Sequence, residues 1–294
     1  MRISSAAAQR IHNGIYGILG HEISYSLSPW LFRQVFDHLQ WSAVFARCDL
    51  PTAQLRGFLR ACGDAGIVGL SVTKPYKVRV LEHLDRVTPP AQRIGAVNTI
   101  AVVRGRLVGH NTDVAGIVAT LWPHRRGLLG RNAVILGAGG AARAVAAALE
   151  HTFRMAQIAV LSRSPRNAQR TWRNLVTTSG SKCHLDFVPW HSNEMRARLQ
   201  DAALLVNATP LGTWGSRSQS PLPRGVTIPS DAIVFDLVYR PRLTRLLSQA
   251  QKSGCRAALG GWPMLIAQAD AAFNIWTGQP FPAALHRRLL RDAP

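Results

Sequence analysis

Cysteines and long apolar runs are scarce in this chain of 294 residues. The four cysteines stand far apart and form no CxxC pair, which argues against a disulfide framework and a zinc site. No run of 18 apolar residues is present, so the sequence predicts no transmembrane helix. Residues 1–14 lack the apolar segment of a signal peptide. We therefore expect a cytoplasmic protein with reduced thiols.

Acidic residues are also few, at 15 against 35 Lys and Arg, which leaves a net charge of +20. Such an excess raises nucleic acids and membrane surfaces as partners. The basic residues are scattered, however, and never form a run of more than two. A nucleic-acid-binding protein would need a clustered patch or an aromatic platform. We attribute the charge to arginine-rich composition and expect neither partner.

Strand-like apolar runs alternate with amphipathic helical patterns in two series, from Ile15 to about Gly109 and from Arg131 onward. Such alternation predicts βαβ units and mostly parallel sheets. Residues 98–110 read as one strand-like run, and the last helix is predicted to run from Pro263 to Thr277. The fold class predicted is α/β, with two lobes and a cleft between them.

Residues 131–149 carry the sharpest single motif, a strand followed by a glycine-rich turn and an alanine-rich helix. Gly137 would allow the tight turn, Gly139 the approach of a pyrophosphate, and Ala142 close packing of helix on strand. A purely structural turn is the alternative. The predicted cofactor-binding residues of this loop are Gly137, Ala138, Gly139, Gly140, Ala141 and Ala142.

The loop after the next strand bears on the choice of dinucleotide. No carboxylate occurs between Glu150 and Asp186, although NAD-specific sites place one about 20 residues past the glycines. Hydroxyl and guanidinium donors suited to a 2′-phosphate stand there instead. These donors are Ser162, Arg163, Ser164 and Arg166. We therefore predict NADP(H) as cofactor, with an exposed basic loop as the alternative.

Ser28 and Pro29 have the character of a helix N-cap and first helical residue, and Ser26 adds a second hydroxyl. They begin a series of motifs that continues through the chain. In order these are Ser26-Leu-Ser28-Pro29, Val72-Thr73-Lys74-Pro75-Tyr76-Lys77, Gly95-Ala-Val-Asn98-Thr99, Asn111-Thr112-Asp113, the glycine loop, Asn207-Ala-Thr209-Pro-Leu-Gly212, Asp236-Leu-Val-Tyr239 and Met264-Leu-Ile-Ala-Gln268. With all eight in register from about Ile15 to the C-terminus, the chain resembles the shikimate dehydrogenase family.

The resemblance implies NADPH-dependent reduction of 3-dehydroshikimate to shikimate, in the route to chorismate and the aromatic amino acids. It implies a substrate-binding catalytic domain at 1–113, completed by 265–294, and a Rossmann-type NADP domain at 114–264. Lys77 matches the family's catalytic lysine, which would donate a proton to the carbonyl oxygen, and Asp113 matches its partner. A monomer or a homodimer is expected.

The remaining site residues also come from the resemblance. Those implied to hold the substrate carboxylate are Ser26, Ser28 and Tyr239. Those implied to bind its hydroxyls are Thr73, Asn98 and Gln268, with Ser71 in the same wall. Those implied to lie near the nicotinamide are Thr209, Gly261 and Met264. For each one, a local cap or turn bond is the structural alternative, although Gln268 shares a helical face with Leu265 and Ala272 and there needs a polar partner.

Several positions depart from the family's frequent residues. Ser71 stands in place of Asn, Tyr25 in place of His, and His110 in place of Asp. Trp262-Pro263 replaces Leu-Gly, and Trp214 adds an aromatic residue after the Thr209 loop. These changes leave open a quinate/shikimate dehydrogenase or a paralogue acting on a related cyclic polyol acid. A non-catalytic NADP-binding regulatory module is a further alternative. The ten histidines show no metal-ligand spacing, so we expect no metal.

Overall fold

The computed structural model describes residues 5–172, 183–213, 215–223 and 225–292. Trp214, which the sequence singled out, lies outside the described residues. The chain divides into two compact units, Met1–Thr112 with Ile266–Pro294, and Asp113–Leu265. Each unit contains a six-stranded sheet with helices, so the α/β fold class is confirmed.

The strands are β1 (Ile15–Gly20), β2 (Val44–Asp49), β3 (Ile67–Val72), β4 (Arg86–Val87), β5 (Thr99–Val103), β6 (Arg106–His110), β7 (Asn132–Leu136), β8 (Gln157–Ser162), β9 (His184–Pro189), β10 (Leu204–Asn207), β11 (Ile233–Asp236) and β12 (Ala257–Leu259). The helices among the described residues are α1 (Ser5–His12), α2 (Ser28–Leu39), α3 (Leu55–Cys62), α4 (Tyr76–Arg79), α5 (Pro89–Ile94), α6 (Asp113–Leu121), α7 (Gly140–His151), α8 (Pro165–Thr171), α9 (Asn193–Gln200), α10 (Arg245–Lys252), α11 (Trp262–Thr277) and α12 (Ala283–Arg291). None of these helices is long and apolar enough to cross a bilayer.

The sheet of the first unit has the strand order β2-β1-β3-β5-β6-β4 and is mixed. β1 runs parallel to both β2 and β3, whereas β5 is antiparallel to β3 and β6. The single strand expected at 98–110 is therefore wrong. Arg104 and Gly105 have φ values of 52° and 76°, and two successive residues of positive φ make the tight turn of a hairpin.

A glycine lets a helix lie directly on this sheet. A Cβ at Gly69 of β3 would stand 2.2 Å from Nε1 of Trp276 in α11. That indole N–H donates to the carbonyl of Ile100, 2.9 Å away, on the neighbouring strand β5. The fully buried rings of Tyr16 and Phe32 pack on the same indole at 5.4 Å each. This contact fixes the position of α11, and with it Gln268, relative to β3 and β5.

The sheet of the second unit has the order β12-β11-β10-β7-β8-β9, and its strand pairs are all parallel. From β9 to β12 this is the 3-2-1-4-5-6 order of dinucleotide-binding folds. The order reverses between β7 and β10, so the carboxyl ends of these two strands flank the crevice in which such folds bind ligands. The loops after Leu136 and Asn207 are thereby placed side by side.

Two helical predictions need correction. Residues 262–277 form α11 and Gly278 ends it with φ 79°, but it is not the last helix, because α12 follows. Ser28 is the first helical residue and not the N-cap, which is Leu27, without a side-chain cap bond. The Ser28 N–H donates instead to Oγ of Ser26, 3.3 Å away. The hydroxyl of Ser26, two residues upstream, therefore takes the place of the expected cap.

Candidate active site

In the first unit, two loops leave the same edge of the sheet, because β1 and β3 are parallel neighbours. The first follows Gly20 and leads to the buried Ser26 and Ser28. The second follows Val72 and contains Thr73. The loops touch, since a Cβ at Gly20 would lie 2.7 Å from Cγ2 of Thr73. The loop that leads to Ser26 and Ser28 therefore begins beside Thr73.

Lys77 lies in α4, the short helix that follows this second loop. The helix is anchored by the fully buried Tyr76, whose hydroxyl donates to the carbonyl of Leu50 at 2.5 Å. The carbonyl of Lys77 accepts from the N–H of Val97 at 2.7 Å. The side chain of Lys77 itself is half-buried. Its backbone is therefore held one residue away from Asn98.

Asn98 is the centre of a buried hydrogen-bond network. Its Nδ2 donates to Oε1 of Gln268 at 3.2 Å and to Oγ1 of Thr112 at 3.0 Å. Its Oδ1 accepts from the N–H of Thr112 at 2.6 Å and from the hydroxyl of Thr99 at 3.1 Å. One amide therefore joins Gln268 of α11 to the residue that precedes Asp113 in the chain.

Ser71 lies at the end of β3, opposite Thr99 of β5 in the strand register. It is 6% exposed, and its Oγ has no hydrogen-bond partner among the described residues. Leaving a buried hydroxyl unpaired costs about 1–3 kcal/mol. This oxygen is therefore a candidate for a hydrogen bond to a ligand group. His110, also opposite Thr99, has a pKa lowered by burial, which favours its neutral form.

In the second unit, the glycine loop joins β7 to α7. Gly137 has φ 103°, a conformation that side chains strongly disfavour. Gly139 is the N-cap of the 12-residue α7 and supplies no side-chain cap, and a Cβ there would meet nothing within 4 Å. Free N–H groups at such a helix start bind phosphates. With Ala142 fully buried against the sheet, the loop fits a dinucleotide pyrophosphate.

The second predicted cofactor loop follows β8, the parallel neighbour of β7, so it leaves the same edge. Oγ of Ser162 accepts from the N–H of Ser164 at 3.1 Å, which shapes the turn. Arg163 and Arg166 are exposed, and neither is ion-paired within the part of the chain that the structure describes. Both guanidinium groups are available to an anionic ligand.

Beyond β10 and β11 lies a polar cluster that sequence reasoning did not assign. Asn207 and Asp236 end adjacent strands at the same register position, and both are fully buried. Oδ1 of Asn207 accepts from the hydroxyl of Thr209 at 2.7 Å. Burial raises the pKa of Asp236 to about 6 against the lowering effect of three hydrogen bonds. The available signal was a polar residue closing each of two otherwise apolar strands.

The other residues predicted in this unit follow β11 or begin α11. Tyr239 is half-buried, and Met264 and Trp262 are buried. The N–H of Gly261 donates to the carbonyl of Val238 at 3.1 Å. Asp113 is the first residue of α6 and is buried. The predicted residues thus divide, with Lys77 in the first unit and Asp113, Tyr239 and the cofactor set in the second.

Among the described residues, no group of three or more His, Cys, Asp or Glu side chains is placed so that it could hold a metal ion. The polar groups described above form two sets. On the first sheet they are neutral amides and hydroxyls, and on the second they belong to a loop of the phosphate-binding type. Such sets suit a polyhydroxylated substrate and a dinucleotide respectively.

Known proteins share these features. A family model described as the shikimate dehydrogenase substrate binding domain matches residues 18–100. The chain is 38% identical to a shikimate dehydrogenase (NADP(+)) of Methanopyrus kandleri, over 95% of each chain. It is 36% identical to shikimate 5-dehydrogenase from Thermus thermophilus, solved with NADP(H) and shikimate, with a TM-score of 0.79 over 95% of this chain and 98% of that one.

A solved structure with a different activity is also similar. The 5-ketofructose reductase of a Gluconobacter species is 28% identical, with a TM-score of 0.78 over 95% of this chain and 98% of that one. The two dehydrogenases named above are more identical to this chain, at 38% and 36%, and carry the same family name as the matched domain. On that likeness over nearly its whole length, the chain belongs to the shikimate dehydrogenase family.

Proposed function

We propose that the protein is an NADP-dependent shikimate dehydrogenase, which reversibly reduces 3-dehydroshikimate to shikimate. The observation that carries this proposal is the neutral hydrogen-bonding edge of the first unit, where the Asn98–Gln268 amide pair lies near the unpaired Ser71 hydroxyl. These groups suit the hydroxyls of a cyclic polyol. Two of the relatives named above are shikimate dehydrogenases, and one of them was solved with NADP(H) and shikimate.

The domain roles follow from the same proposal. Residues 1–113 with 265–294 form the substrate-binding catalytic domain, and residues 114–264 form the NADP-binding domain. In the first, the hydroxyls of Ser26 and Ser28 hold the substrate carboxylate, and the family resemblance assigns the same role to Tyr239 of the second domain. Thr73, Asn98, Gln268 and Ser71 bind its ring hydroxyls. Because these donors and acceptors are held at several positions, they orient the ring rather than merely attract it.

In the second domain, the backbone N–H groups at Gly139 and Gly140 hold the pyrophosphate on the positive end of α7. Arg163, with Ser162, Ser164 and Arg166, binds the 2′-phosphate through charge-assisted hydrogen bonds. Thr209, Gly261 and Met264 line the nicotinamide half. When bound, NADPH supplies the hydride for the carbonyl carbon.

Lys77 supplies the proton. Its ammonium donates to the carbonyl oxygen as negative charge develops there, and it takes the proton back in the oxidative direction. Asp113, which the family resemblance pairs with this lysine, would accept a hydrogen bond from the ammonium and so fix its direction. Beside these two residues, the N–H of Val97 donates to the carbonyl of Lys77, and Oδ1 of Asn98 accepts from the N–H of Thr112, which precedes Asp113.

A second candidate function is supported by Ser71. A serine hydroxyl is shorter than an asparagine amide, so it leaves more room in the wall that reads the ring hydroxyls. Quinate carries one more hydroxyl than shikimate and has a saturated ring, and a site discriminates such ligands through a few polar contacts. The likeness to 5-ketofructose reductase supports the same broader class of polyol substrates.

The deciding experiment measures initial rates of NADP⁺ reduction with shikimate, beside quinate and beside NAD⁺ in place of NADP⁺. We expect turnover with shikimate and NADP⁺. Turnover of quinate at a comparable rate would favour the broader substrate class. Binding of NADP⁺ without turnover of either acid would favour a paralogue with another substrate or a non-catalytic module. Light scattering of the same sample distinguishes a monomer from a homodimer.

A further inference from the structure

The carboxylate of Asp236 is fully buried at the end of β11, and it is surrounded by donors. Oδ1 accepts from Nδ2 of Asn207 at 2.8 Å and from the N–H of Val238 at 3.0 Å. Oδ2 accepts from the hydroxyl of Thr244 at 2.6 Å. Both oxygens are therefore engaged, and each bond reaches a different segment of the second unit.

The first of these bonds, together with backbone groups of Leu211 and Thr209, fixes which way the Asn207 amide points. Because the carboxylate accepts only, it must face Nδ2, which also donates to the carbonyl of Leu211 at 3.2 Å. Oδ1 is then turned toward Thr209, where it accepts from both the N–H at 3.0 Å and the hydroxyl at 2.7 Å. An asparagine at position 236 keeps one acceptor oxygen and replaces the other by a donor, so it cannot accept from both Asn207 and Thr244 as the carboxylate does.

Thr209 in turn touches the glycine loop. A Cβ at Gly137 would lie 3.0 Å from Cγ2 of Thr209, so the threonine methyl packs against the first glycine after β7. The Thr209 hydroxyl also accepts from the N–H of Leu211 at 3.2 Å. Its rotamer is thus held by one bond that it donates to Asn207 and one that it accepts from Leu211. The chain of contacts runs from Asp236 through Asn207 and Thr209 to the dinucleotide turn.

The other two bonds act on neighbouring loops. Val238, whose N–H bonds Asp236, accepts at its carbonyl from the N–H of Gly261 at 3.1 Å. Thr244 donates to Asp236 while its Oγ1 accepts from the N–H of Leu247 as N-cap of α10. One carboxylate therefore connects the loops that carry Thr209 and Gly261.

We propose that Asp236 is a positioning residue of the dinucleotide site, which acts through Asn207 and Thr209 on the loop at Gly137. The proposal rests on the proposed cofactor role of that loop. Burying a carboxylate costs more folding free energy than burying a neutral side chain. Asp236 accepts from three donors and faces no cation among the described residues. Its acceptor-only character is what an asparagine of the same shape lacks.

The test is the dissociation constant of NADP⁺, measured by titration calorimetry on Asp236→Asn. We expect it to rise at least about tenfold, which corresponds to the loss of one well-formed hydrogen bond. Asp186→Asn is the matched control, since Asp186 of β9 also accepts from a neighbouring strand, through Nε2 of Gln157 at 2.8 Å. The control should bind NADP⁺ as the wild type does.

A double-mutant cycle separates positioning from general loss of structure. If Asp236 acts through Thr209, Thr209→Val should weaken NADP⁺ binding when it is made in the wild type. Made in the Asp236→Asn variant, the same substitution should weaken NADP⁺ binding further by less than about twofold. Additive effects of the two substitutions would overturn the proposal. The proposal would also be overturned if the wild type binds NADP⁺ and Asp236→Asn binds it with the same affinity. A wild type that binds no NADP⁺ would overturn the proposed function as well.

Thr244 provides a second, milder route should Asp236→Asn fail to fold. Thr244→Ser keeps the hydroxyl that bonds Asp236 and should retain the NADP⁺ affinity. Thr244→Val removes the hydroxyl and should weaken NADP⁺ binding several-fold, with kcat for bound substrate much less affected. Equal NADP⁺ affinities for the two Thr244 variants would contradict the proposal.

Discussion

The buried carboxyl of Asp236 makes the stability of the protein depend on pH in a predictable direction. Burial raises its pKa from the ordinary 3.8 to about 6. Between these two values the folded state binds more protons than the unfolded state, so stability falls as pH rises. The favourable contribution is complete below about pH 4 and is lost as the pH passes through about 6.

The size of the effect follows from the same two values. A difference of about two pKa units corresponds to about 3 kcal/mol between the fully protonated and fully ionised carboxyl. Asp236→Asn has no proton to exchange at this position. Its free energy of unfolding, relative to the wild type, should therefore rise by up to about 3 kcal/mol between pH 4 and pH 7.

Urea unfolding followed by circular dichroism, at several pH values from about 4 to about 7, measures this difference. Only the change in the difference with pH matters, so other titrating groups common to both proteins cancel. A difference that stays constant over this range, or a variant that loses relative stability as pH rises, would refute the reasoning. The expected outcome, a wild type that loses stability relative to Asp236→Asn as pH rises toward 7, would show that ionisation of this carboxyl costs folding free energy.

Three further substitutions test the proposed site and its scaffold. Lys77→Ala should lower kcat at least about 100-fold in the shikimate assay and leave the NADP⁺ dissociation constant unchanged, because the lysine supplies a proton and no cofactor contact. Arg163→Ala should raise the KM for NADP⁺ about 10–100-fold and leave the KM for NAD⁺ unchanged, since only the 2′-phosphate pairs with it. Gly69→Ala should lower the free energy of unfolding by about 1–3 kcal/mol in urea titrations, because its Cβ would overlap the Trp276 indole.

Each substitution has a matched control in the chain. Lys252→Ala, in the last turn of α10, should leave kcat unchanged. Arg170→Ala, on the exposed surface of α8, should leave the KM for NADP⁺ unchanged. Gly57→Ala lies in α3 with nothing within 4 Å of the added Cβ, so it should raise the free energy of unfolding by about 0.5–1 kcal/mol. If a control variant changes as much as the variant it is matched to, the effect comes from the type of substitution and not from the site.

Local signals in the sequence were enough for the parts of the molecule that depend on near neighbours in the chain. The strand, glycine turn and helix at 131–149 could be predicted because turn, cap and packing all lie within one short contiguous segment. The β5–β6 hairpin could not, because Arg104 has no turn signature and the apolar pattern continues past it. The three residues of β12 are too few to show a period, and no candidate role was given to Asn207 or Asp236.

The sequence by itself determined the family, the α/β class and the glycine loop, since each is written in contiguous motifs. Only the tertiary structure decided which polar groups meet. Asn98 and Gln268 are 170 positions apart and bond because Gly69 lets α11 lie on the sheet. Asn207 and Asp236 are 29 positions apart and bond because β10 and β11 pair in register. A hydrogen bond between side chains tolerates changes of only a few tenths of an ångström in the donor–acceptor distance, and the packing of whole helices and strands sets that distance.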